Sequence, residues 1–203
     1  MTKPLVAILD YGIGNLRSAQ KALERVGADA QLTSDHGLIR DAVGVVLPGV
    51  GNFGRCMEQI RNANLDGIAI EAAESGRPFL GVCVGMQMLF RGSEESPNVP
   101  GLGLFDGHVR LLSDEVKRPQ MQWNRLREQR PSALLAGLGD DAWVYFVHSY
   151  AAEQTPEIVA TCEYGCDVSA AAVRDNVWAT QFHPEKSGAT GMAILSNFVK
   201  ELS

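Results

Sequence analysis

The sequence predicts an α/β fold: a single domain over residues 1–203 with a flavodoxin-like, mostly parallel central sheet and helices on both faces. The chain has 203 residues, of which 45% are hydrophobic and 21% charged, as is usual for one globular domain. In its first half, nearly continuous apolar runs alternate with helical patterns, which is typical of a parallel sheet covered on both faces. In its second half, short strands separated by turns predict antiparallel additions to that sheet.

Four strands are predicted in the first half, each an apolar run closed by a turn: residues 5–9, 30–33, 43–47 and 78–82. The spacing of apolar residues predicts three helices, over 15–26, 67–74 and 84–90. Asn15 suits the N-cap of the first helix, and Gly27 follows it where a C-terminal glycine belongs.

After residue 97 the pattern changes to short strands joined by turns. These strands are predicted over residues 109–112, 144–147, 158–162 and 177–181. A final helix is predicted over 191–202, because Ile194, Leu195 and Phe198 recur at helical spacing. The sequence contains no internal repeat or low-complexity tract, so one domain accounts for the whole pattern.

The formal net charge of −6 argues against nucleic acid or an anionic membrane as the main partner. The first apolar run covers only six residues, from Pro4 to Leu9, before it reaches Asp10. Such a run is too short for a secretory signal or a membrane span. We therefore expect a cytoplasmic protein that binds neither nucleic acid nor membrane.

The cysteine and glycine patterns that suggest a metal or a cofactor are weak. Cys162 and Cys166 are spaced like a metal-binding pair, but no second Cys/His pair at ligand spacing accompanies them. The turn at Gly12 and Gly14 is similar to a dinucleotide-binding loop, yet Arg17 stands where its third glycine belongs. A structural turn is the favoured interpretation, and we expect neither a metal nor a cofactor.

Cys83 lies between two glycines where a predicted strand ends and a helix begins. In the stretch GVCVGMQ, Gly81 and Gly85 remove the Cβ atoms that would crowd a sharp strand-to-helix corner. A nucleophile at such a corner can use the next backbone N–H, that of Val84, to stabilise an oxyanion. The start of the helix would also stabilise a thiolate. A buried cysteine that only packs is the simpler alternative.

A thiol nucleophile needs a base, and His183 is the best placed of the four histidines. It follows a predicted strand, and in an extended chain its side chain and that of Glu185 point to the same face. A carboxylate beside an imidazole fixes its tautomer and stabilises its protonated form. The sequence therefore predicts a catalytic triad of Cys83, His183 and Glu185.

The turn Pro-Gly-Val-Gly at residues 48–51 follows another predicted parallel strand, at the edge where open α/β sheets bind ligands. Gly49, Val50 and Gly51 offer three backbone N–H donors with little side-chain bulk. We predict that they form an oxyanion hole together with Val84. A plain left-handed turn is the alternative.

Two motifs resemble those of the class I, or triad, glutamine amidotransferases: GVCVGMQ at 81–87 and QFHPEKS at 181–187. Further segments resemble the amidotransferase subunits of imidazole glycerol phosphate synthases, namely DYGIGN (10–15), PGVGNF (48–53), RPQMQWN (118–124) and YFVHSY (145–150). Together the motifs span nearly the whole chain. One segment departs from the family pattern, since Gln120 and Gln122 stand where His-Met-Gly is expected before Trp-Asn.

The resemblance implies a glutaminase that releases ammonia from glutamine through a Cys83 thioester, without a cofactor. It implies that Gln87, Glu95, Ser149 and Tyr150 help to hold glutamine, with Glu95 attracting the α-ammonium group. It also implies a heterodimer with a (β/α)8-barrel cyclase subunit, which uses the ammonia to make imidazole glycerol phosphate and aminoimidazole carboxamide ribotide. For residues 94–95, a solvated acidic loop is the alternative.

Three other functions remain open from the sequence. The chain could serve another synthase of the anthranilate synthase type, although those relatives usually carry a histidine where Met86 stands. It could be a cysteine peptidase or esterase on a related fold. It could also be a flavodoxin-like binding module with an inert Cys83. Alkylation by a glutamine analogue and identification of the co-purifying protein distinguish these functions.

Overall fold

The computed structural model describes residues 2–202, and as far as Met88 each strand is followed by one or two helices. The strands are β1 (Leu5–Leu9), β2 (Asp29–Thr33), β3 (Gly44–Gly49), β4 (Phe79–Cys83), β5 (Val109–Leu111), β6 (Gln120–Arg125), β7 (Arg127–Glu128), β8 (Trp143–His148), β9 (Tyr150–Ala152), β10 (Ile158–Glu163), β11 (Asp167–Arg174) and β12 (Val177–Thr180). The helices are α1 (Leu16–Arg25), α2 (His36–Asp41), α3 (Phe53–Asn62), α4 (Asp66–Glu74), α5 (Val84–Met88) and α6 (Gly188–Lys200).

Eight strands form the central sheet, in the order β2-β1-β3-β4-β12-β11-β10-β7. The four pairs from β2 to β12 are parallel, and the three pairs from β12 to β7 are antiparallel. The first strands follow the flavodoxin-like order. The predicted α/β fold, with a mostly parallel sheet and antiparallel additions in the C-terminal half, is confirmed.

One strand assignment was wrong. The sequence pattern placed β12 among the antiparallel additions, but β12 pairs in parallel with β4, with Thr180 opposite Val82. The turn at Asp175 and Asn176 follows the antiparallel strand β11 and reverses the chain, which returns β12 to the direction of β4. The carboxyl ends of β4 and β12 therefore meet at one edge of the sheet.

The helices cover both faces of the sheet, in two groups. Because parallel crossovers are right-handed, α1 and the later helices α2 to α4 must lie on opposite faces, since the chain crosses the sheet in one direction from β1 to β2 and in the other from β2 through β3 to β4. Helix α6 packs against α1, whereas α4 packs against α2 and α3. Between the layers lie fully buried side chains such as Leu47, Phe79 and Phe198. Each contributes about 1.5–3 kcal/mol through burial.

Two helices, α2 and α3, were not predicted. Helix α2 is capped by Asp35, whose carboxylate accepts from Leu38 N at 2.7 Å. Helix α3 is capped by Asn52, whose side chain accepts from Arg55 N at 3.0 Å. By contrast, the predicted cap Asn15 occupies the N-cap position of α1 but makes no side-chain cap bond. Strands β6, β7, β9 and β11 were also missed.

Two small antiparallel sheets flank the central one, formed by β5 with β9 and by β6 with β8. The β6–β8 sheet contains the QMQWN segment that departs from the family pattern: Gln120 is fully buried, and Gln122 is exposed. Among residues 2–202, no helix is both long enough and apolar enough to cross a membrane.

Candidate active site

Cys83 is the last residue of β4, and helix α5 begins at the next residue. Its backbone angles are φ +57° and ψ −114°, a region that a residue with a side chain rarely adopts. Such strain costs about 1–3 kcal/mol and is typical of functional corners. The strand-to-helix corner predicted for Cys83 is therefore present.

The flanking glycines of the corner are packed against backbone. A Cβ atom on Gly85 would lie 1.9 Å from the Leu47 carbonyl oxygen, and one on Gly81 would lie 3.0 Å from the Gly85 carbonyl oxygen. These distances leave no room for a side chain at Gly85. The crowding that the sequence argument assigned to the two glycines is confirmed.

His183 and Glu185 form a buried pair, with His183 Nδ1 2.9 Å from Glu185 Oε1. The pairing arises differently from the sequence argument. Only His183 has an extended backbone, because Pro184–Lys186 form a 3₁₀ turn that brings the carboxylate back to the ring. The prediction of an extended chain over residues 183–185 was wrong, whereas the pairing of the two side chains is confirmed.

The parallel pairing of β4 with β12 brings His183 to Cys83, close enough for the thiol to influence the pKa of the ring. Burial lowers the pKa of His183, but its interactions with Cys83 and Glu185 outweigh that effect and raise the pKa to about 9. The imidazole therefore holds a proton readily. The structure brings together all three members of the predicted triad.

The predicted oxyanion residues lie beside this corner. Gly49 is opposite Cys83 in the β3–β4 pairing, and a Cβ atom on Gly49 would lie 2.6 Å from Gly85 N. Gly51 has a φ of +84° with open space around it. The left-handed turn given as the alternative is thus present at Gly51, and Val50 and Gly51 also line the cavity that contains Cys83.

That cavity has a volume of about 660 Å³, which suits a small amino acid. It is lined by Gly14, Asn15, Val50, Gly51, Cys83, Val84, Gln87, Glu95, Pro119, Val147, His148, Ser149, Tyr150, His183 and Lys186. A larger cleft of about 930 Å³ is lined by residues between 125 and 142, and these include no cysteine or histidine. The reactive side chains in the lining, rather than the volume of the cavity, therefore identify the candidate site.

The four residues predicted to hold glutamine all line the cavity: Gln87, Glu95, Ser149 and Tyr150. The side-chain amide of Gln87 donates to the Tyr150 carbonyl at 2.9 Å and so ties α5 to the start of β9. One oxygen of Glu95 accepts from Phe53 N at 2.6 Å. Its neighbour Glu94 lies outside the cavity lining.

Glu94 is exposed and forms an ion pair with Arg110 at 3.1 Å. The hydrogen bond from Leu111 N, followed by the contact with Arg110, lowers the pKa of Glu94. The acidic-loop alternative thus describes Glu94 but not Glu95, which is half-buried against the cavity.

Two further side chains near the triad, Gln181 and His148, were not predicted as site residues. Gln181 is fully buried, and its side-chain amide lies 3.9 Å from Cys83 Sγ. His148 is buried, its Nδ1 lies 2.9 Å from the Tyr150 carbonyl, and its Nε2 has no partner within residues 2–202. Gln181 could have been found from strand alternation, which puts residues 181 and 183 on one face.

A model of one protein family matches residues 7–202, and that family is the class I glutamine amidotransferases. The chain belongs to this family. Cys83, His183 and Glu185 of this amidotransferase lie inside the matched range. Among residues 2–202, no group of three or more His, Cys, Asp or Glu side chains could hold a metal ion.

Three relatives place this amidotransferase in a narrower group within its family. The imidazole glycerol phosphate synthase subunit HisH of Deinococcus radiodurans is 48% identical, over 98% of this chain and 95% of its own length. The HisH subunit of Methanosarcina acetivorans is also 48% identical, over 96% and 98%. That of Bacillus cereus is 46% identical, over 96% and 93%.

Solved structures show the same fold at low identity. A glutamine amidotransferase with 19% identity matches with a TM-score of 0.77, over 97% of this chain and 98% of its own. A putative GMP synthase subunit from Thermoplasma acidophilum with 20% identity matches with a TM-score of 0.74, over 100% and 95%. These likenesses establish the architecture alone.

This amidotransferase is therefore an enzyme, and it belongs with the HisH glutaminase subunits of imidazole glycerol phosphate synthases. The hypothesis of a non-enzymatic binding module was wrong. The anthranilate synthase type is not favoured, since the relatives given above are HisH subunits.

Proposed function

We propose that Cys83 attacks the side-chain amide of glutamine and that the chain passes the released ammonia to a cyclase subunit. The observation that carries this proposal is the buried arrangement of Cys83, His183 and Glu185 at one cavity. A thiol beside an imidazole, which is itself paired with a carboxylate, is the arrangement that acyl transfer by a cysteine requires.

The proposed reaction has two stages. In the first, the Cys83 thiolate attacks the amide carbon, a C–S bond forms, and the C–N bond breaks as His183 gives its proton to the departing ammonia. In the second, His183 takes a proton from water, which attacks the thioester, and glutamate leaves as the C–S bond breaks. The raised pKa of His183 favours the protonated form that the first stage needs.

Backbone donors would stabilise the oxyanion that forms in both stages. The N–H of Val84 directly follows the nucleophile, and the segment of Gly49, Val50 and Gly51 lies across the β3–β4 pairing from it. One such donor is worth about 10²–10³-fold in kcat. We name residues 49–51 the oxyanion segment.

Glu95 would attract the α-ammonium group of glutamine, since it is a carboxylate in the cavity lining. Ser149 and Tyr150 line the same space at the junction of β8 and β9. Gln87 would act by holding the Tyr150 carbonyl in place. A half-buried carboxylate among backbone groups suits an amino acid with a free α-amino group.

We propose a heterodimer with a (β/α)8-barrel cyclase, which would use the ammonia to make imidazole glycerol phosphate and aminoimidazole carboxamide ribotide. The relatives are named as subunits, which supports a partner. An apolar patch supports its location: Met121, Trp123 and Trp143 on the β6–β8 sheet are 61%, 48% and 45% exposed. Large exposed side chains of this kind mark protein interfaces.

The patch borders the active site. Trp123 lies next to Gly188, just after the 3₁₀ turn of the triad, and Val147, opposite Met121 in the β6–β8 pairing, lines the cavity. A partner docked there would cover the exit of the cavity. Cover matters because ammonia in water takes up a proton and loses its nucleophilicity. The four unpaired cysteine thiols also fit our proposal of a cytoplasmic location.

We further propose that the isolated chain hydrolyses glutamine slowly and that the cyclase with its nucleotide ligand raises kcat by orders of magnitude. The oxyanion segment can change the direction of its N–H groups at low cost, because glycine tolerates many backbone angles. Gly51→Val tests this, since Gly51 has a positive φ and free space around it. Gly49→Val is unsuitable, because its side chain would collide with Gly85.

The deciding experiment compares Cys83→Ala with wild type in the assembled complex. Glutamine-dependent synthesis should vanish, while ammonia-dependent synthesis should stay near the wild-type rate, because Cys83 has no role in the acceptor reaction. Cys166→Ala, at an exposed position, is the matched control. Glutamine turnover by Cys83→Ala at a tenth of the wild-type rate would exclude the proposed nucleophile.

A further inference from the structure

Two buried side chains outside the triad donate hydrogen bonds to backbone carbonyls in and next to the oxyanion segment. Tyr11 follows β1, and its hydroxyl donates to the carbonyl of Pro48, the residue before Gly49. Cys56 lies on α3, and its thiol donates to the carbonyl of Val50 at 3.3 Å. Tyr11 is 4% exposed and Cys56 is fully buried, so water does not compete for either bond.

Tyr11 also contacts the corner that carries the nucleophile. Its hydroxyl lies 3.7 Å from the sulfur of Met88, the last residue of α5. The same hydroxyl therefore contacts the residue before the oxyanion segment and the last residue of the nucleophile's helix. Burial is the main cause that raises the pKa of Cys56 to about 11, so its thiol keeps the proton that it donates.

These two hydrogen bonds orient backbone N–H groups as well as the two carbonyl groups. Because a peptide group is planar and trans, the bond to the Pro48 carbonyl also sets the direction of the Gly49 N–H. In the same way, the bond to the Val50 carbonyl sets the direction of the Gly51 N–H. Within residues 2–202, no side chain bonds the peptide group between Gly49 and Val50.

We infer that Tyr11 and Cys56 are positioning residues for glutamine hydrolysis, which orient the backbone donors of the oxyanion segment without touching the substrate. The inference rests on the proposed oxyanion role of residues 49–51. Because side chains hold the peptide groups on both sides of the Gly49–Val50 peptide, only the pairing of Gly49 with Cys83 at the end of the β3–β4 ladder restricts this group. Loss of the Cys56 bond would free the Val50–Gly51 peptide, and loss of the Tyr11 bond would leave the Pro48–Gly49 peptide held by the β3–β4 pairing alone.

The test uses Tyr11→Phe and Cys56→Ala in the complex with the cyclase. Each change removes one donor and leaves the cavity lining intact. We expect kcat to fall about 10-fold, less than the loss of a whole oxyanion donor, while KM for glutamine changes less than about 2-fold. Cys56→Ser should recover most of the loss, because a hydroxyl can still donate to the Val50 carbonyl.

A second measurement separates orientation from packing. The Cys83 thiol adds to the aldehyde carbon of glutamate γ-semialdehyde: the C–S bond forms, the C=O π bond breaks, and the thiol proton passes through His183 to the oxygen, which gives a tetrahedral hemithioacetal whose oxygen faces the donors. Its inhibition constant should rise in Tyr11→Phe and Cys56→Ala by the same factor as kcat falls. Substitution of a residue that only supports the fold would lower the melting temperature and leave the inhibition constant unchanged.

Matched controls come from the same chain. Tyr164→Phe removes another phenol-to-carbonyl bond, that to Lys117 at 2.7 Å, and Cys162→Ala removes another buried thiol. Both should keep the wild-type kcat. If Tyr11→Phe and Cys56→Ala behave like these controls while wild type hydrolyses glutamine, the positioning role is excluded. If wild type itself hydrolyses no glutamine in the complex, it is the proposed function that fails.

Discussion

His183 and His148 line the same cavity and are both almost completely buried, with 2% and 7% of their surface exposed. Their pKa values nevertheless shift in opposite directions, to about 9 for His183 and about 4 for His148. Burial lowers both values. His183 also has the Glu185 carboxylate as a partner and Cys83 nearby, whereas the partner of His148 within residues 2–202 is the Tyr150 carbonyl.

The difference shows what makes a buried histidine a base. His148 is neutral because burial is the largest influence on it, and the nearby positive charge of His183 lowers its pKa further. Its Nδ1 carries the proton, since a carbonyl can only accept. His183 differs by a carboxylate 2.9 Å away and a thiol nearby. The neighbours rather than the burial decide which ring can shuttle a proton.

The largest expected effect is that of His183→Asn. Asparagine can neither take up a proton from Cys83 nor return one to ammonia, so glutamine hydrolysis by the complex should fall by about 10⁴-fold or more. Steady-state glutamate release measures this loss. Retention of more than about a hundredth of the wild-type rate would mean that another group acts as the base.

Glu185→Gln should have a smaller effect, between about 10-fold and 10⁴-fold in kcat. The amide can still accept from Nδ1, but it removes the negative charge that raises the pKa of His183. Titration of the His183 ring by NMR should show a lower pKa in this variant. An unchanged pKa would assign the elevation to Cys83 alone.

His148 should affect stability more than chemistry. Its pKa of about 4 lies below the unfolded value of about 6.5, so between these pH values the unfolded chain binds a proton that the folded chain does not. The free energy of unfolding should therefore decrease as the pH falls through this window, by up to about 3 kcal/mol for this group. Urea unfolding at pH 7 and pH 4.5 measures the decrease, which should be smaller in His148→Asn.

The smallest effect is expected for the catalytic rate of His148→Asn. Because a neutral ring bonded to a carbonyl holds no proton for transfer, kcat at pH 7 should stay within about 3-fold of wild type. Parallel assays of His148→Asn and His183→Asn test the comparison directly. Equal losses in the two variants would mean that the base has been assigned to the wrong ring.

The first four strands, the corner at Cys83 and the pairing of His183 with Glu185 could be predicted from the sequence. The apolar runs predicted β1 to β4, and the glycines around Cys83 predicted the sharp corner that the backbone angles confirm. Glu185, two residues from His183, predicted their pairing, because a short separation along the chain restricts the distance between two side chains.

Other parts of the site depend on contacts that are distant along the chain. The environment of His148 arises where β8 meets β9 inside the fold, and no local pattern shows that its Nε2 would lack a partner. The parallel direction of β12 follows from the turn after β11 rather than from its own residues. Helix α3, by contrast, has buried residues at 53, 56, 57 and 60, a helical spacing that the sequence analysis overlooked.

The pairing of β4 with β12 also sets the moment at which the protein becomes reactive during its synthesis. Cys83 ends β4 and His183 follows β12, so the thiol leaves the ribosome about 100 residues before its base, on the order of 5–20 s earlier at usual elongation rates. During that interval the nascent chain carries a cysteine without its imidazole. Glutamine consumption can begin only after the last strand enters the sheet, when almost the whole chain has been translated.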